Sequence, residues 1–303
     1  FVVIYFINRG QKEVEEIHKF PIYTILLPCL HEEIKTLQTL IAAISNLNYP
    51  LEKLDVKFLL EENDTKTITN LKSLNHSFEV LLIPQCFPTT KPKACNLGLY
   101  FAKGEYVVIY DAEDVPDSNQ LLMALSKFQK SDKNVICIQS LLNIYNANCS
   151  FISKCFSLEY LVWFNAFLPS FIKAGMCIPL GGTSNHFKTK ELIKIGGWDA
   201  YNVTEDAELG IRIAKNGYKS DLIYSYTLEE STTKIKDFTL QRSRWLKGFL
   251  ITFLINILDF KNSVKLGFLN FIQIIFSLGM AFFGFFCIPF LILFSFFTNH
   301  DSF

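Results

Sequence analysis

Short apolar segments alternate with amphipathic segments through the first half of the chain. The apolar segments cover residues 22–28, 56–60, 79–83 and 106–110, and the segments between them are long enough for helices. This alternation predicts an α/β domain with a mostly parallel sheet and right-handed crossovers. Several of the strands end in acidic or polar residues, and sheets of this kind bind ligands at the carboxyl ends of their strands. We therefore expect one ligand crevice at that edge.

The strand at residues 106–110 runs directly into a cluster of acids, at Asp111, Glu113, Asp114 and Asp117. Carboxylates one residue apart can point to the same side of an extended segment, which suits a hard divalent cation. The alternative is an acidic loop that caps the following helix, with Asp117 as its N-cap. Both interpretations fit this segment taken alone.

Apolar segments at both ends of the chain predict an integral membrane protein. Residues 267–298 contain no charged residue, and about 20 apolar residues suffice to span a bilayer. Residues 1–7 resemble the end of another span that has been truncated, and no signal peptide is visible. Basic residues flank the two apolar ends on the side of the intervening domain, which predicts that this domain is cytoplasmic, at a bacterial inner membrane. These residues are Arg9, Lys12, Arg242, Arg244, Lys247, Lys261 and Lys265.

The expected organisation follows from these segments. Residues 151–179 are apolar and aromatic but contain charges and Pro169, which favours an amphipathic helix on the membrane surface over a core helix. The expected divisions are a truncated span and linker at 1–20, a catalytic domain at 21–235, an interfacial helix at 236–262 and a transmembrane segment at 263–303.

Composition and missing motifs exclude several classes of protein. The net charge of zero argues against nucleic acid as the main partner. The eight cysteines include no C-x-x-C pair, so neither a zinc site nor a disulfide framework is supported. No G-x-G-x-x-G fingerprint or P-loop is present, which disfavours a dehydrogenase and leaves phosphates to a metal and basic side chains. Lys91 and Lys93 could supply those charges or remain solvated; they begin a predicted helix over residues 91–103 that Gly104 closes.

Two later segments also suit a ligand. Residues 181–187 form a small, polar loop that permits close approach, although an ordinary glycine turn is the alternative, and His186 fits a hydrogen-bonded structural residue. Thr204, Glu205 and Asp206 open a predicted helix, where ordinary capping is the alternative. On a helix, Gln241, Arg244 and Trp245 share one face, which suits a phosphate beside a sugar or a membrane interface.

These segments, in this order, resemble the family 2 glycosyltransferases, particularly the membrane-embedded branch that contains cellulose, chitin and hyaluronan synthases. The resemblance covers residues 21–248 and continues into the apolar C-terminal segment. It depends on residues 28–32 (PCLHE), 91–96 (KPKACN), 111–114 (DAED), 204–206 (TED) and 241–245 (QRSRW).

The resemblance implies a GT-A type nucleotide-sugar-binding domain, followed by interfacial helices and a C-terminal transmembrane helix. It implies a nucleotide-sugar donor, most often a UDP-sugar, and transfer with inversion. The residues implied on the donor side are Glu32, Glu61 and Glu62 at the nucleoside, Lys93 at the diphosphate, and Asp111 and Glu113 at Mg²⁺ or Mn²⁺.

The acceptor side is implied in the same way. Asp206 matches the catalytic base, and Arg244 offsets the charge of the leaving diphosphate. The remaining implied residues are Glu205, Gly182 and Thr183 near the acceptor, and Gln241 and Trp245 at the diphosphate and the acceptor sugar.

The sequence departs from the family pattern at several positions. Cys29 and Leu30 replace the usual residues near the nucleoside, the second strand ends in Glu-Glu-Asn-Asp, the metal motif reads D-x-E, and the acceptor loop lacks a Phe-Phe-Cys pattern. The expected product is a β-linked polysaccharide, with transfer of one sugar to a lipid as the closest alternative. A catalytically silent sensor is a third possibility, which the intact motifs disfavour.

Overall fold

The computed structural model describes residue 17, residues 19–259 and 266–279, and residues 287 and 290. The strands are β1 (Tyr23–Cys29), β2 (Leu54–Glu61), β3 (Glu79–Ile83), β4 (Tyr106–Ile109), β5 (Val115–Pro116), β6 (Val135–Ile144), β7 (Asn185–Lys188) and β8 (Lys219–Glu229). The helices are α1 (Ile34–Ser45), α2 (Thr65–Lys72), α3 (Lys91–Tyr100), α4 (Gln120–Lys130), α5 (Phe151–Lys173), α6 (Thr189–Lys194), α7 (Glu205–Lys215), α8 (Ile235–Leu258) and α9 (Phe268–Gly279).

The strands of the described residues form one eight-stranded sheet in the order β3-β2-β1-β4-β7-β6-β8-β5. β1 pairs in parallel with β2 and β4, β2 pairs in parallel with β3, and β6 pairs in parallel with β8. β7 is antiparallel to both of its neighbours, and β5 is antiparallel to β8. The predicted α/β class is confirmed. The sheet is mixed, however, because β5 and β7 run against the other strands.

β1 and β4 are largely apolar, as expected of strands in a sheet that helices cover on both faces. Successive side chains point to opposite faces, so Ile25 and Leu27 of β1 pack in one core, with α1 and α4. Leu26 lies in the second core, together with Val107 of β4 and residues of α3, α5 and α7. The carboxyl ends of β1, β2 and β4 are thereby held at one edge.

His186 lies at the centre of a buried polar chain in the sheet. Its Nδ1 atom is 2.7 Å from the Tyr23 hydroxyl, and its Nε2 atom is 3.2 Å from the Ser140 hydroxyl and 3.3 Å from Gln120 Oε1. Burial lowers the pKa of His186 to about 3, so the imidazole is neutral at physiological pH. The prediction of a hydrogen-bonded structural histidine is confirmed.

A buried ion group lies on β2. The Lys57 side chain is fully buried, and its Nζ atom contacts Asp55 Oδ1 at 2.9 Å and Glu79 Oε2 at 2.5 Å. The Thr24 hydroxyl donates to the other Asp55 oxygen at 2.8 Å. Asp55 is therefore compensated on both oxygens, which is what a buried carboxylate requires.

Two predicted helix ends are wrong. The helix predicted over residues 91–103 ends at Tyr100, and Gly104 does not close it. Gly104 is needed for close packing instead, because a Cβ atom there would lie 2.5 Å from the Thr24 nitrogen. Asp117 is not the N-cap of the next helix: Asn119 is, and Asp117 accepts a hydrogen bond from the Asn119 backbone N–H.

The predicted membrane segments are only partly described. The first seven residues lie outside the described residues, as do most of residues 280–303, so the predicted spans there stay predictions. The described part of α9 is apolar but shorter than a span. α8 covers Ile235–Leu258, in the region of the predicted interfacial helix, whose place at the membrane surface stays a prediction. Within the described part of the chain, only α5 has the length and composition to cross a membrane, and its Phe156, Phe164 and Leu168 side chains are buried in the protein.

Candidate active site

The acids after β4 meet the loop before β7 and the start of α7 at one basic side chain, Lys91. The Lys91 Nζ atom forms an ion pair with Asp111 Oδ1 and donates to the Gly182 carbonyl oxygen at 2.7 Å. Burial would lower the pKa of Lys91, but the charges of Asp111 and Glu205 raise it, so the ammonium group stays charged. Lys91 thus joins the predicted metal carboxylates to the predicted acceptor loop.

A tight turn orients the acids after β4. The Asp114 backbone N–H donates to the Asp111 carbonyl oxygen at 3.1 Å, and the Asp111 backbone N–H donates to Asp114 Oδ2 at 2.7 Å. Asp114 is fully buried, and the Thr183 hydroxyl donates to the same carboxylate oxygen. Burial and the charge of Asp111 raise the pKa of Asp114 well above its usual range. Asp114 therefore shapes the turn from beneath, while Asp111 and Glu113 face the crevice.

Asp111 and Glu113 fit a divalent cation shared with a diphosphate. Burial and then the charge of Asp111 raise the pKa of Glu113 to about 7, and a bound cation would relieve this repulsion. Among the described residues no three Asp, Glu, His or Cys side chains form a group able to hold a metal ion. Magnesium commonly binds through one or two carboxylates together with substrate phosphates, which is the arrangement that two acids allow.

The predicted nucleoside side of the crevice lies between the ends of β1 and β2. His31 has a φ angle of 61°, which is uncommon for a residue with a side chain, and its backbone N–H donates to Asp64 Oδ2 at 2.6 Å. This turn leads into Glu32, a partly buried acid whose pKa burial raises. The crevice is lined by Pro28, Cys29, Leu30, Glu32, Leu59, Glu61, Thr89, Thr90, Lys91, Ala94, Asp111, Ala112 and Glu113.

Glu61 and Lys93 form an ion pair in that crevice. The Lys93 Nζ atom lies 2.8 Å from Glu61 Oε1 and donates to the Cys86 carbonyl oxygen at 3.1 Å. Lys93 is therefore engaged with the nucleoside side, whereas Lys91 contacts Asp111. Glu62, the other predicted acid after β2, is exposed on the turn and does not line the crevice.

The predicted base, Asp206, lies at the start of α7, beside the glycine loop. A Cβ atom added to Gly182 would lie 3.5 Å from Asp206 Oδ2, so the loop passes close to the carboxylate. The Ala207 backbone N–H donates to Asp206 Oδ1 at 2.7 Å, which fixes the carboxylate. Burial raises the pKa of Asp206 to about 6, and burial with the charge of Asp206 raises the pKa of Glu205 to about 7. Carboxylates with raised pKa values suit proton transfer near neutral pH.

α8 packs directly against the loop that carries Asp206. A Cβ atom at Gly248 would lie 2.4 Å from the Thr204 hydroxyl oxygen, so only glycine allows this approach. Asn202 strengthens the contact: its Oδ1 atom accepts from the Thr204 backbone N–H at 3.0 Å, and its Nδ2 atom donates to the Thr252 hydroxyl at 3.0 Å. Thr204 is the N-cap residue of α7 but makes no side-chain capping bond.

The Q-x-x-R-W motif is helical, as predicted, and is attached to α5. The Arg242 guanidinium forms two hydrogen bonds with Glu159, of 2.6 and 2.7 Å, and stacks 4.4 Å from the centre of the Trp245 ring. Gln241 and Trp245 are partly buried, and Gln241 Oε1 is a buried acceptor without a partner in the described residues. Arg244 is exposed.

The structure brings five of the predicted residues together around Lys91. Asp111, Glu113, Gly182, Glu205 and Asp206 lie around Lys91. The Thr183 hydroxyl is instead buried against Asp114, and Arg244 and Glu62 are exposed, so their predicted contacts with substrate stay predictions.

Sequence reasoning gave no site role to Glu229 or Arg242, and it placed Asp114 in the acid cluster as a third candidate for the cation. Asp114 and Glu229 are buried or half-buried acids near Asp111, and Arg242 orients Trp245. The two lysines at the start of α3 indicated basic side chains at the diphosphate. Only their contacts show that Lys91 pairs with Asp111, whereas Lys93 pairs with Glu61.

Comparisons with known proteins show the family and the fold of the chain. Residues 106–301 match the family described as glycosyl transferase family group 2, and residues 24–167 match glycosyl transferase family 2. A mannosyltransferase from Pyrobaculum calidifontis, solved in complex with GDP-mannose and Mn²⁺, superposes with a TM-score of 0.66 at 17% identity, over 93% of this chain and 79% of that one. This likeness shows a shared GT-A-like fold.

Three curated relatives illustrate the similarity in sequence. The probable glycosyltransferase YdaM of Bacillus subtilis is 25% identical over 239 residues, which cover 77% of this chain and 56% of the relative. The β-monoglucosyldiacylglycerol synthase of Nostoc is 27% identical, covering 78% and 50%. The poly-β-1,6-N-acetyl-D-glucosamine synthase of Staphylococcus aureus is 23% identical, covering 74% and 54%. The chain spans about half the length of the curated relatives it matches.

Proposed function

This chain belongs to glycosyl transferase family group 2 and is a glycosyltransferase, and we propose that it transfers a sugar with inversion from a nucleotide diphosphate donor. One observation carries the proposal: Lys91 joins Asp111, on the donor side, to Gly182, which lies beside Asp206. A diphosphate at Asp111 and an acceptor hydroxyl at Asp206 would then meet across one ammonium group.

Each half of the site has a defined chemical task. A sugar hydroxyl is a weak nucleophile, so the Asp206 carboxylate accepts its proton as the hydroxyl attacks the donor carbon. Lys91 offsets negative charge on the departing diphosphate, with Lys93 and Arg244 as further predicted contributors. Asp111 and Glu113 would hold Mg²⁺ or Mn²⁺, which supplies additional positive charge to the diphosphate when bound. The departing diphosphate needs no proton, so one base is enough, in contrast to glycoside hydrolases.

The donor and the acceptor are proposed at the level of chemical class. UDP-sugars are the first choice for the donor, and the names of the relatives and of the mannosyltransferase add GDP-mannose to the candidates. We favour a growing β-linked polysaccharide as the acceptor, since relatives include glucomannan and poly-N-acetylglucosamine synthases. The alternative, a lipid acceptor, is favoured by the β-monoglucosyldiacylglycerol synthases among the relatives. Sizing of the labelled product separates the two.

We also propose that the enzyme is bound to a bacterial inner membrane, with its catalytic domain in the cytoplasm. Residues 267–298 carry no charge, and Leu258, Phe268 and Phe276 expose apolar side chains on α8 and α9. These apolar residues adjoin basic positions that favour the cytoplasmic side. Labelling of single exposed cysteines in intact cells and in inverted vesicles tests the orientation.

The activity is tested with purified protein in detergent and a panel of UDP-glucose, UDP-N-acetylglucosamine and GDP-mannose. Released nucleoside diphosphate and transferred label are measured together. Asp206→Asn should lower turnover by about 10²–10⁴-fold while donor affinity stays near that of the wild type. Asp237→Asn, an exposed acid in the first turn of α8, is the matched control. Ordinary turnover in Asp206→Asn would remove that residue from the role of base.

A further inference from the structure

Glu229 is an acid at the edge of the site for which the mechanism above has no task. It is the last residue of β8, and it lies opposite Ile144, the last residue of β6. The Tyr145 backbone N–H donates to the Glu229 carbonyl oxygen at 3.1 Å, which fixes the backbone at this point. β8 runs in the same direction as β4, so Glu229 lies at the edge of the sheet where Asp111 and Glu113 follow β4.

The Glu229 carboxyl is close to several polar groups. The Tyr160 hydroxyl and the Asp111 and Glu113 carboxylates are near enough to interact with it electrostatically. Its Oε1 atom is buried and has no hydrogen-bond partner in the described part of the chain. A buried acceptor without a hydrogen bond destabilises the free protein. A ligand that donates a hydrogen bond to this atom removes that cost and therefore binds more tightly.

Among the described residues, Glu229, Asp111 and Glu113 do not form a group of three that could hold a cation. A sugar presents many hydroxyl groups, and a hydroxyl can donate a hydrogen bond to an unpaired carboxyl oxygen such as Oε1.

Tyr160 places this carboxyl next to the Q-x-x-R-W helix. The Tyr160 ring packs 4.8 Å from the ring of Phe156, and Phe156 packs 6.1 Å from Trp245. Gln241, one turn before Trp245, also has a buried acceptor oxygen without a partner in the described residues. Two acceptor atoms that lack donors thus occur on residues next to this aromatic cluster: one on Glu229, beside Tyr160, and one on Gln241, one helical turn from Trp245.

We propose that Glu229, oriented by Tyr160, accepts hydrogen bonds from hydroxyl groups of a sugar bound beside Asp111 and Glu113, and so contributes to sugar specificity. This role rests on the proposed glycosyltransfer, because it assumes a sugar at the metal carboxylates. The hydroxyls belong either to the sugar being transferred or to the acceptor, and the two sources predict different defects.

The test compares Glu229→Ala with the conservative variant Glu229→Gln. Calorimetry measures affinity for UDP-glucose, UDP-N-acetylglucosamine and GDP-mannose, and for UDP and GDP without a sugar. If the transferred sugar is bound, Glu229→Ala weakens affinity for the sugar nucleotide by about tenfold or more but leaves the bare diphosphate within about twofold. If the acceptor is bound, donor affinity is unchanged and the KM for diacylglycerol micelles or β-linked oligosaccharides rises instead.

The controls separate recognition from folding. Glu229→Gln should restore part of the loss, Tyr160→Phe should reproduce it in a weaker form, and Glu230→Gln, at the exposed neighbouring acid, should change neither constant. Thermal unfolding confirms that each variant is folded. The role of Glu229 alone would be overturned if Glu229→Ala had the donor affinity and the acceptor KM of the wild type. It would also be overturned if the variant lost affinity equally for the sugar nucleotide and for the bare diphosphate. A wild-type protein that neither binds nor uses any sugar of the panel would instead overturn the proposed function.

Discussion

Gly248 is the point at which α8 touches the loop that carries the proposed base. A Cβ atom added there would lie 2.4 Å from the Thr204 hydroxyl oxygen and 2.6 Å from its methyl carbon. Thr204 directly precedes Glu205 and Asp206, so any displacement of Thr204 moves the carboxylates. We predict that Gly248→Ala impairs catalysis without unfolding the protein.

The size of the effect follows from these contacts. Ordinary contact begins near 3.4 Å, so a contact of 2.4 Å requires a shift of about 1 Å. A misplacement of about 1 Å in a catalytic group can cost about 100-fold in rate, and we expect kcat to fall by that factor. Overpacking costs about 1–3 kcal/mol of stability, and the higher helix propensity of alanine offsets about 1 kcal/mol. The free energy of unfolding should therefore change little.

The assay measures kcat, donor affinity and thermal unfolding for Gly248→Ala and for Thr239→Ala, a control on the exposed face of the same helix. A second change provides a rescue. Thr204→Ala in the Gly248→Ala background removes the two nearest atoms and leaves a contact of 2.9 Å, so the required shift falls to about 0.5 Å. Part of the lost rate should return. Wild-type kcat in Gly248→Ala would show that α8 does not set the position of the base.

Four further predictions follow from contacts and charges at other positions. Lys91→Met should lower kcat by about 100-fold and Lys93→Met by much less, because only Lys91 contacts Asp111; equal effects in steady-state kinetics would contradict this assignment. Turnover should stop in EDTA, return with Mg²⁺ or Mn²⁺, and collapse in Glu113→Gln; full activity in chelator would exclude the metal. Burial raises the pKa of Asp206 to about 6, so the carboxylate that acts as base is present above that pH. We therefore expect kcat at saturating donor and metal to fall as the pH drops through about 6, and a kcat that does not change between pH 5 and pH 8 would exclude Asp206 as the base. Lys57→Met removes the closer of the two ammonium groups at buried Asp55 and leaves only Lys103, at 3.9 Å. The free energy of unfolding should fall by up to about 3–5 kcal/mol in urea titrations, and an unchanged midpoint would show that the Lys57 ion pair adds no stability.

Much of the fold could be predicted because apolar periodicity and acids at strand ends are local signals. The strands at residues 22–28, 56–60, 79–83 and 106–110 were located to within a few residues. The other four strands, β5, β6, β7 and β8, were not predicted. The direction of the short β7 depends on pairing with β4 and β6, and not on its own composition. Gly104 was misread for a related reason: its role is to let the chain pass close to Thr24, a contact that lies 80 positions away in sequence.

The residues of the candidate site also differ in how far the sequence alone predicts them. Asp111, Glu113 and Asp206 occur in short motifs whose residue types already suggest their chemistry. The buried position of Thr183, the exposure of Arg244 and the partner of Lys93 depend on tertiary packing, which the motifs do not encode. Glu229 lies outside the motifs that the family resemblance depends on, and it is identified as a candidate only by its unpaired carboxyl oxygen.

His186, at the centre of the buried polar chain, constrains the candidate site although it has no task in the proposed reaction. β7 has only three residue pairs with each neighbouring strand, so its backbone hydrogen bonds define its alignment weakly. The contacts of His186 with Tyr23, Ser140 and Gln120 select one alignment, because a slip of one residue would turn the imidazole to the opposite face. The same slip would shift the preceding glycine loop by about 3.3 Å relative to Asp206. A sequence change at this neutral core residue could thus leave a folded protein whose donor and acceptor halves no longer meet.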